Sequence, residues 1–178
     1  DARLRPSGNA GVLVTPLQGY LHYHKTSEPW EHQALIKGRP VAGNLEAEWV
    51  TRLQKELKRA VYEWDFPKDL KERIHHMRLR KEAELSHETS RKKDLKEGSG
   101  GLLDIEFLTQ YLQLKHGKEI LSLQVTRTLE ALNALRKHQI LSPESTEILF
   151  RSFTFLRHLE SYQRLIYDEP TNKIDFDR

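Results

Sequence analysis

Lys96-Glu97-Gly98-Ser99-Gly100-Gly101 runs directly into Leu102-Leu103-Asp104-Ile105-Glu106. The glycines at Gly98, Gly100 and Gly101 let successive backbone N–H groups curve toward one side. A helix starting at Leu102 would set the positive end of its dipole behind them. That arrangement suits an anion, with the Lys96 cation ahead of it and Asp104 and Glu106 on the first helical turn. The run lacks the Lys-Ser/Thr ending of a P-loop, and acids favour a helix N-terminus on their own account. A capped interhelical linker is therefore the other reading of the same residues. Asp1, Arg3 and Arg5 alternate on a predicted strand, which places one carboxylate and two guanidiniums on one face. Such a set fits a metal ion with phosphates, or a salt-bridged sheet face, and spacing alone favours the salt bridges. The nine histidines include His22 with His24 and His75 with His76, and neither spacing puts two rings on one helical face. With no H-E-x-x-H and no cysteine, the histidines read as solvent-facing or half-buried groups, not as metal ligands.

The elements that position these residues emerge from composition and periodicity. The chain has 178 residues, enough for one domain or one and a piece. Lys and Arg number 29 against 26 Asp and Glu, a surplus of +3, so the pI near 9.1 does not by itself mark a nucleic-acid binder. Mean hydropathy is −0.71, and no apolar run is long enough for a spanning helix. The absence of cysteine excludes disulfides and thiol chemistry, and with no signal peptide in the sequence the reducing cytoplasm is the expected compartment. The sole methionine is Met77, and the chain opens on Asp1 within a strand-like run. A piece of a longer protein is expected.

Asp1–Arg5 and Val12–Thr15 are the two predicted strands, joined by the turn-rich Pro6–Gly11. They need a sheet whose other strands lie upstream. No further strand is expected after Pro16. Thr15 and Pro16 should start a helix, and Trp30–Lys37 should form another, ended by Gly38. Gly43-Asn44 is the expected hinge, dividing residues 1–43 from residues 44–178. Beyond it, Trp49, Leu53, Leu57, Val61 and Trp64 draw one apolar stripe at helical spacing. Lys68 to Thr89 carries a thin seam of Leu70, Ile74, Met77 and Leu85. Leu102–His116 is apolar on more than one side and belongs at the bundle centre. Thr126–His138 and Pro143–Tyr167 complete the helices, the last capped by Ser142 and burying Leu149, Phe153, Leu156, Leu159 and Ile166. The fold class is mainly α.

Four blocks share a further property. They are Asp1-Ala2-Arg3-Leu4-Arg5-Pro6-Ser7-Gly8, Trp30-Glu31-His32-Gln33-Ala34-Leu35 with Lys37–Gly43, Lys96–Phe107, and Phe155-Leu156-Arg157-His158-Leu159-Glu160. Together, in this order and over nearly the whole chain, they resemble the bacterial glutamine synthetase adenylyltransferase family. The resemblance implies a two-headed parent in which each half has a polymerase-β-type nucleotidyltransferase domain followed by a helical domain. One half transfers AMP from ATP to a tyrosine of glutamine synthetase, and the other removes it by phosphorolysis. The Trp-Glu-His-Gln-Ala-Leu and Gly-Gly-x-x-Asp-Ile-Glu-Phe wording is more similar to the adenylylating, C-terminal half. Ala2 and Gly38 are smaller than the family's usual residues, and Ser27-Glu28-Pro29 stands where the family often has an aromatic, so local packing departs from the pattern.

By that resemblance the chain is a helical bundle preceded by the last strands of the nucleotidyltransferase sheet. Asp1 becomes a catalytic carboxylate and Mg²⁺ ligand. Arg3, Arg5, Lys96, Gly98, Gly100, Gly101, Asp104 and Glu106 become nucleotide-binding residues. ATP and Mg²⁺ are the implied cofactors, glutamine synthetase the partner, and the PII signalling protein a further one. The Gly-Ser…Asp-x-Asp motif that supplies the other carboxylates is expected upstream, so this piece should be inactive alone, because one carboxylate cannot hold two metal ions. The competing reading is a non-enzymatic bundle that docks a partner through Lys68–Lys96. Residues 68–97 hold ten Lys/Arg and seven Asp/Glu. Interleaved acids blunt the counterion release that drives nucleic-acid affinity. Labelled DNA at physiological salt should bind only weakly, and nanomolar, sequence-dependent affinity would overturn that expectation.

Overall fold

The computed structural model describes residues 5–41, 46–167 and 172–176. Among these it holds seven α-helices: α1 (Leu17–Tyr23), α2 (Pro29–Leu35), α3 (Ala47–Tyr62), α4 (Leu70–Leu85), α5 (Leu102–His116), α6 (Thr128–Lys137) and α7 (Pro143–Tyr167). Two short strands, β1 (Lys92–Asp94) and β2 (Lys173–Asp175), pair antiparallel with Lys93 opposite Ile174. The mainly α class stands. No described helix is long and apolar enough to cross a membrane.

Helix starts follow local chemistry. Ser142 Oγ accepts the Ser145 N–H at 3.1 Å ahead of Pro143 at the first helical position of α7. Glu31 caps α2 by accepting the Glu28 N–H at 3.1 Å, and its other oxygen accepts the Tyr23 hydroxyl at 2.8 Å. At α1 the cap position is Pro16, not Thr15. The centre is α5, as its all-round apolar pattern requires. One face meets Ile36, Val61, Tyr62, Leu70 and Ile74 through Leu103, Phe107 and Leu114. The other meets Leu123, Leu132, Leu135 and Phe153 through Leu102 and Ile105.

The structure departs from the sequence reading at identifiable places. Val12–Thr15 is not a strand but an open segment with Val12, Leu13 and Val14 at 67%, 78% and 85% exposure; no sheet partner exists for it among the described residues. Residues 1–4 of the other predicted strand lie outside the described residues, as does the Gly43-Asn44 hinge, and Arg5 sits at a bend. β1 and β2 were not expected. Each is three residues long and too charged to show period-2 alternation. They join because the chain returns after α7, where Asn172 O accepts the Leu95 N–H at 2.8 Å. Leu85 and Ile166 face solvent, and α4 buries Arg78 beside Leu70 and Ile74.

Two histidines are buried where half-exposed ones were expected. His32 on α2 is fully buried and His24, just past α1, nearly so. His32 Nδ1 lies 3.0 Å from Ala60 O of α3, His32 Nε2 lies 3.0 Å from Ser27 Oγ, and Ser27 Oγ lies 3.1 Å from His24 Nδ1. A carbonyl only accepts, so neutral His32 donates from Nδ1 and takes the Ser27 proton at Nε2. Trp64 stacks flat on His32, with centroids 4.0 Å apart and planes 9° from parallel. This relay fastens α1 and α2 to α3.

Burial first, and repulsion from His24 next, push His32 from 6.5 down to about 4. Because the folded value lies below the unfolded one, the unfolded chain takes up the proton more readily. Stability is therefore complete above pH 6.5 and falls as pH drops toward 4. The loss should be on the order of 2 kcal/mol. Urea melts at stepped pH should show it, and His32→Gln should flatten the slope while lowering the midpoint at pH 7; an unchanged slope would show that the ring is not the titrating group.

Candidate functional site

The glycine run is a closed turn built by its own neighbours. Asp94, almost fully buried, accepts the Lys96 and Glu97 N–H groups on Oδ1 at 3.0 and 2.8 Å. The Gly98 N–H donates to Asp94 O at 3.1 Å, and Gly101 N–H to Gly98 O at 3.0 Å. Gly100 has φ +74°, a left-handed conformation that side chains disfavour, and its N–H donates to Asp104 Oδ2 at 2.6 Å. A Cβ at Gly101 would stand 2.8–2.9 Å from the carbonyls of Leu95, Lys96 and Gly98. Glycine is required there by space. The Leu102 and Leu103 N–H groups donate to Leu95 O at 2.9 Å and Lys96 O at 3.1 Å.

Arg78 locks this turn from beneath. Its Nη2 donates to Gly98 O at 2.8 Å. Nε faces Asp104 Oδ1 at 2.6 Å and Nη1 faces Glu82 Oε2 at 3.1 Å, both at ion-pair distance but off the line of a hydrogen bond. The guanidinium is only 4% exposed, so its charge depends on those two carboxylates. The amides of Gly98, Gly100 and Gly101 thus have acceptors within the chain, and Asp104 has a cation.

Glu106 stands in a different cluster. Its Oε1 takes Lys37 Nζ at 2.7 Å and Arg157 Nη2 at 2.8 Å. Arg157 Nη1 continues to Glu160 Oε2 at 2.8 Å, and Glu160 Oε1 takes Arg164 Nη2 at 2.9 Å. The end of α2, the start of α5 and the middle of α7 are joined through these charges. Lys96 Nζ pairs with Glu97 at 3.1 Å. Arg5 donates from Nε to Gly11 O at 3.1 Å and lines a small cavity with Trp30 and Glu31. Asp1 and Arg3 lie outside the described residues. The sequence-predicted set is thus divided among the N-terminal turn, the glycine turn and the Glu106 cluster.

Arg78, Lys37, Arg157 and Glu160 were not singled out as site residues. Arg157, Glu160 and Lys37 lie within the blocks that carry the family resemblance, which is the sequence signal for them. Arg78 had none, since a cation on a highly charged helix reads as solvated. Replacing it separates the roles of these charges. Arg78→Met leaves Gly98 O without its donor and Asp104 without its cation, and should cost about 2 kcal/mol, with faster hydrogen exchange at Gly100. A melt and exchange rates equal to those of the unaltered chain would show that the turn holds itself.

Residues 68–178, more than half of the chain, match the family model described as GlnD PII-uridylyltransferase. Residues 1–56 match the one described as Glutamate-ammonia ligase adenylyltransferase. Proteins named bifunctional glutamine synthetase adenylyltransferase/adenylyl-removing enzyme align over 90% of the chain. The one from Mycobacterium bovis is 39% identical over 163 residues and that from Streptomyces coelicolor 39% over 163. The protein from Corynebacterium diphtheriae is 38% identical over 161 residues. The chain spans only 16%, 16% and 15% of their respective lengths. By residues 68–178 the chain belongs to the family whose model is described as GlnD PII-uridylyltransferase, and over 90% of its length its resemblance to the glutamine synthetase adenylyltransferases stands.

Proposed function

We propose that the chain is part of a nucleotidyltransferase that moves AMP between ATP and a tyrosine of glutamine synthetase. The carrying observation is 39% identity over 90% of the chain to an enzyme named for both adenylyl transfer and removal. In this reading residues 1–43 are the edge of the catalytic domain. Asp1 is its catalytic, metal-binding carboxylate, and Arg3 and Arg5 meet the triphosphate. Residues 44–178 are the helical domain behind it. The PII signalling protein is a further partner, and the cytoplasm the place of action.

The roles of the remaining site residues follow from their contacts. The Gly98–Gly101 turn, with its amides engaged internally, acts by holding Lys96 and the start of α5 in place. Glu106 acts by fixing Lys37 at the end of α2, and Ile36, one residue earlier, shares a core with α3, α4 and α5. The helical domain is thereby rigidly joined to whatever α2 carries. Among the described residues no three His, Asp or Glu side chains are grouped to hold a metal ion. Asp104 and Glu106 are held by Arg78, Lys37 and Arg157. The described residues therefore do not fit Mg²⁺, whose ligands in this reading are Asp1 and carboxylates of the upstream sheet. This is also why the isolated chain should be inactive.

In the longer protein, Asp1→Asn should abolish AMP transfer without changing the thermal midpoint, because an amide ligates Mg²⁺ poorly and leaves its charge uncompensated. Lys96→Ala and Glu106→Gln should slow transfer, and Glu106→Gln should also lower the midpoint by about 1 kcal/mol of stability, because two charge-assisted bonds weaken. Near-normal turnover in Asp1→Asn would remove the metal assignment.

A further inference from the structure

A groove of about 450 Å³ opens between α2, α4 and α5. Ala34, Met77, Phe107 and Trp30 supply its apolar lining, and the Glu106 carboxylate, paired with Lys37 and Arg157, also lines it. The indole is 43% exposed, a large aromatic face left open to solvent. Two amides meet inside. Gln33 Nε2 donates to Gln110 Oε1 at 2.8 Å, and the two residues are 3% and 8% exposed. Gln33 Oε1 and Gln110 Nε2 make no hydrogen bond among the described residues, yet neither is sealed from solvent. Both remaining valences therefore open into the groove. If both amides were turned over, the pair would still offer one donor beside one acceptor. At the rim, Lys81 is half-buried and has no ion-pair partner among the described residues, and Arg80 reaches only Glu84, at 3.5 Å.

An occupant must satisfy three demands at once. It needs a flat π-face for Trp30, an edge carrying both a donor and an acceptor for the amides, and negative charge for Lys81. A nucleotide carries all of them: stacking on an aromatic is sequence-tolerant, an amide reads an amino group beside a ring nitrogen, and phosphates answer the cations. A peptide carries these features only on separate side chains and backbone groups that must be ordered on binding, whereas a nucleotide joins the face and the edge in one rigid ring. The geometry points to this groove as a binding site for a purine nucleotide, the base between Trp30 and the Gln33–Gln110 pair and the phosphates toward Lys81 and Arg80. Adenine as the base rests on the adenylyl-transfer reading. The groove is assigned binding alone, and no step of the transfer reaction.

Calorimetric titration of the 178-residue chain with ATP, adenosine, tripolyphosphate, GTP and a short tyrosyl peptide tests this without any transfer assay. ATP should bind saturably, more tightly than adenosine, GTP or tripolyphosphate. Trp30→Leu should weaken ATP about tenfold through lost stacking. Lys81→Ala should weaken ATP about fivefold and leave adenosine unchanged; both side chains are partly exposed, so circular dichroism should show the fold intact. Absence of saturable ATP binding at millimolar concentration, tripolyphosphate binding as tightly as ATP, the peptide binding more tightly, or a Lys81→Ala chain that binds ATP as before would each overturn the assignment, and GTP binding more tightly than ATP would overturn adenine as its base. Because Asp1→Asn turnover is measured separately in the longer protein, a failed groove and a failed transfer reading give different results.

Discussion

α5 has almost no face to give to solvent, and everything polar on it must find a partner inside the bundle. Glu106, Thr109, Gln110 and Gln113 are all buried. Thr109 returns its hydroxyl to Ile105 O at 2.7 Å within the helix. The other three reach outward, each to a different neighbour: Glu106 to Lys37 and Arg157, Gln110 to Gln33, and Gln113 to the carbonyls of Leu123 and Val125 at 2.7 and 2.8 Å. Leaving any of these groups unmet would cost more than its hydrogen bond contributes. The apolar contacts press helices together, but these polar ones fix which residue faces which. Register along α2, α7 and the segment after α5 thus follows from the polar spacing on one helix.

The same logic explains which features were legible in the sequence. α5 could be read to the residue because its apolar positions surround it and Gly101 and Gly117 flank it. α7 was legible from Ser142, Pro143 and the length of its pattern, though Ile166 near its end faces out, where the neighbouring helices no longer reach. Val12–Thr15 misled because β-branched residues favour an extended chain, yet a strand exists only through a partner, and propensity says nothing about one. β1 and β2 were invisible for the converse reason. Their pairing joins residues some eighty positions apart, Lys93 with Ile174, and neither segment has the composition of a strand. At the site, the blocks of resemblance contained Lys37, Glu106 and Arg157, but only three-dimensional structure puts them on one carboxylate oxygen.

Two buried groups show that this bundle accepts electrostatic cost for positional certainty. Arg78 gives up water for one carbonyl and two carboxylates, one of them on its own helix. A hydrophobic residue of similar volume would avoid that desolvation, but it could not hold a carbonyl oxygen in a turn whose glycine amides have partners elsewhere. His32 stays neutral for a related reason. Protonation would leave Nε2 donating toward a Ser27 hydroxyl that already supplies its hydrogen there, and the relay to His24 would have to reverse. In both places one polar side chain joins elements far apart in sequence.

The junction at α2 is where these constraints converge. One short helix carries His32 toward α3, Gln33 toward α5, and Trp30 toward the open groove, and Lys37 just beyond it binds Glu106. Seven residues cannot form a stable helix alone, so its geometry is imposed entirely by these attachments and by Pro29 and Glu31 at its start. Any force that displaced the chain before Pro29 would therefore act on the α3 relay and on the amide pair together. The exposed indole and the two unpaired amide valences sit on the part of the molecule where upstream movement would be felt first. Occupation of the groove and the position of residues 5–28 are, on mechanical grounds, linked through these seven residues, about two turns of helix.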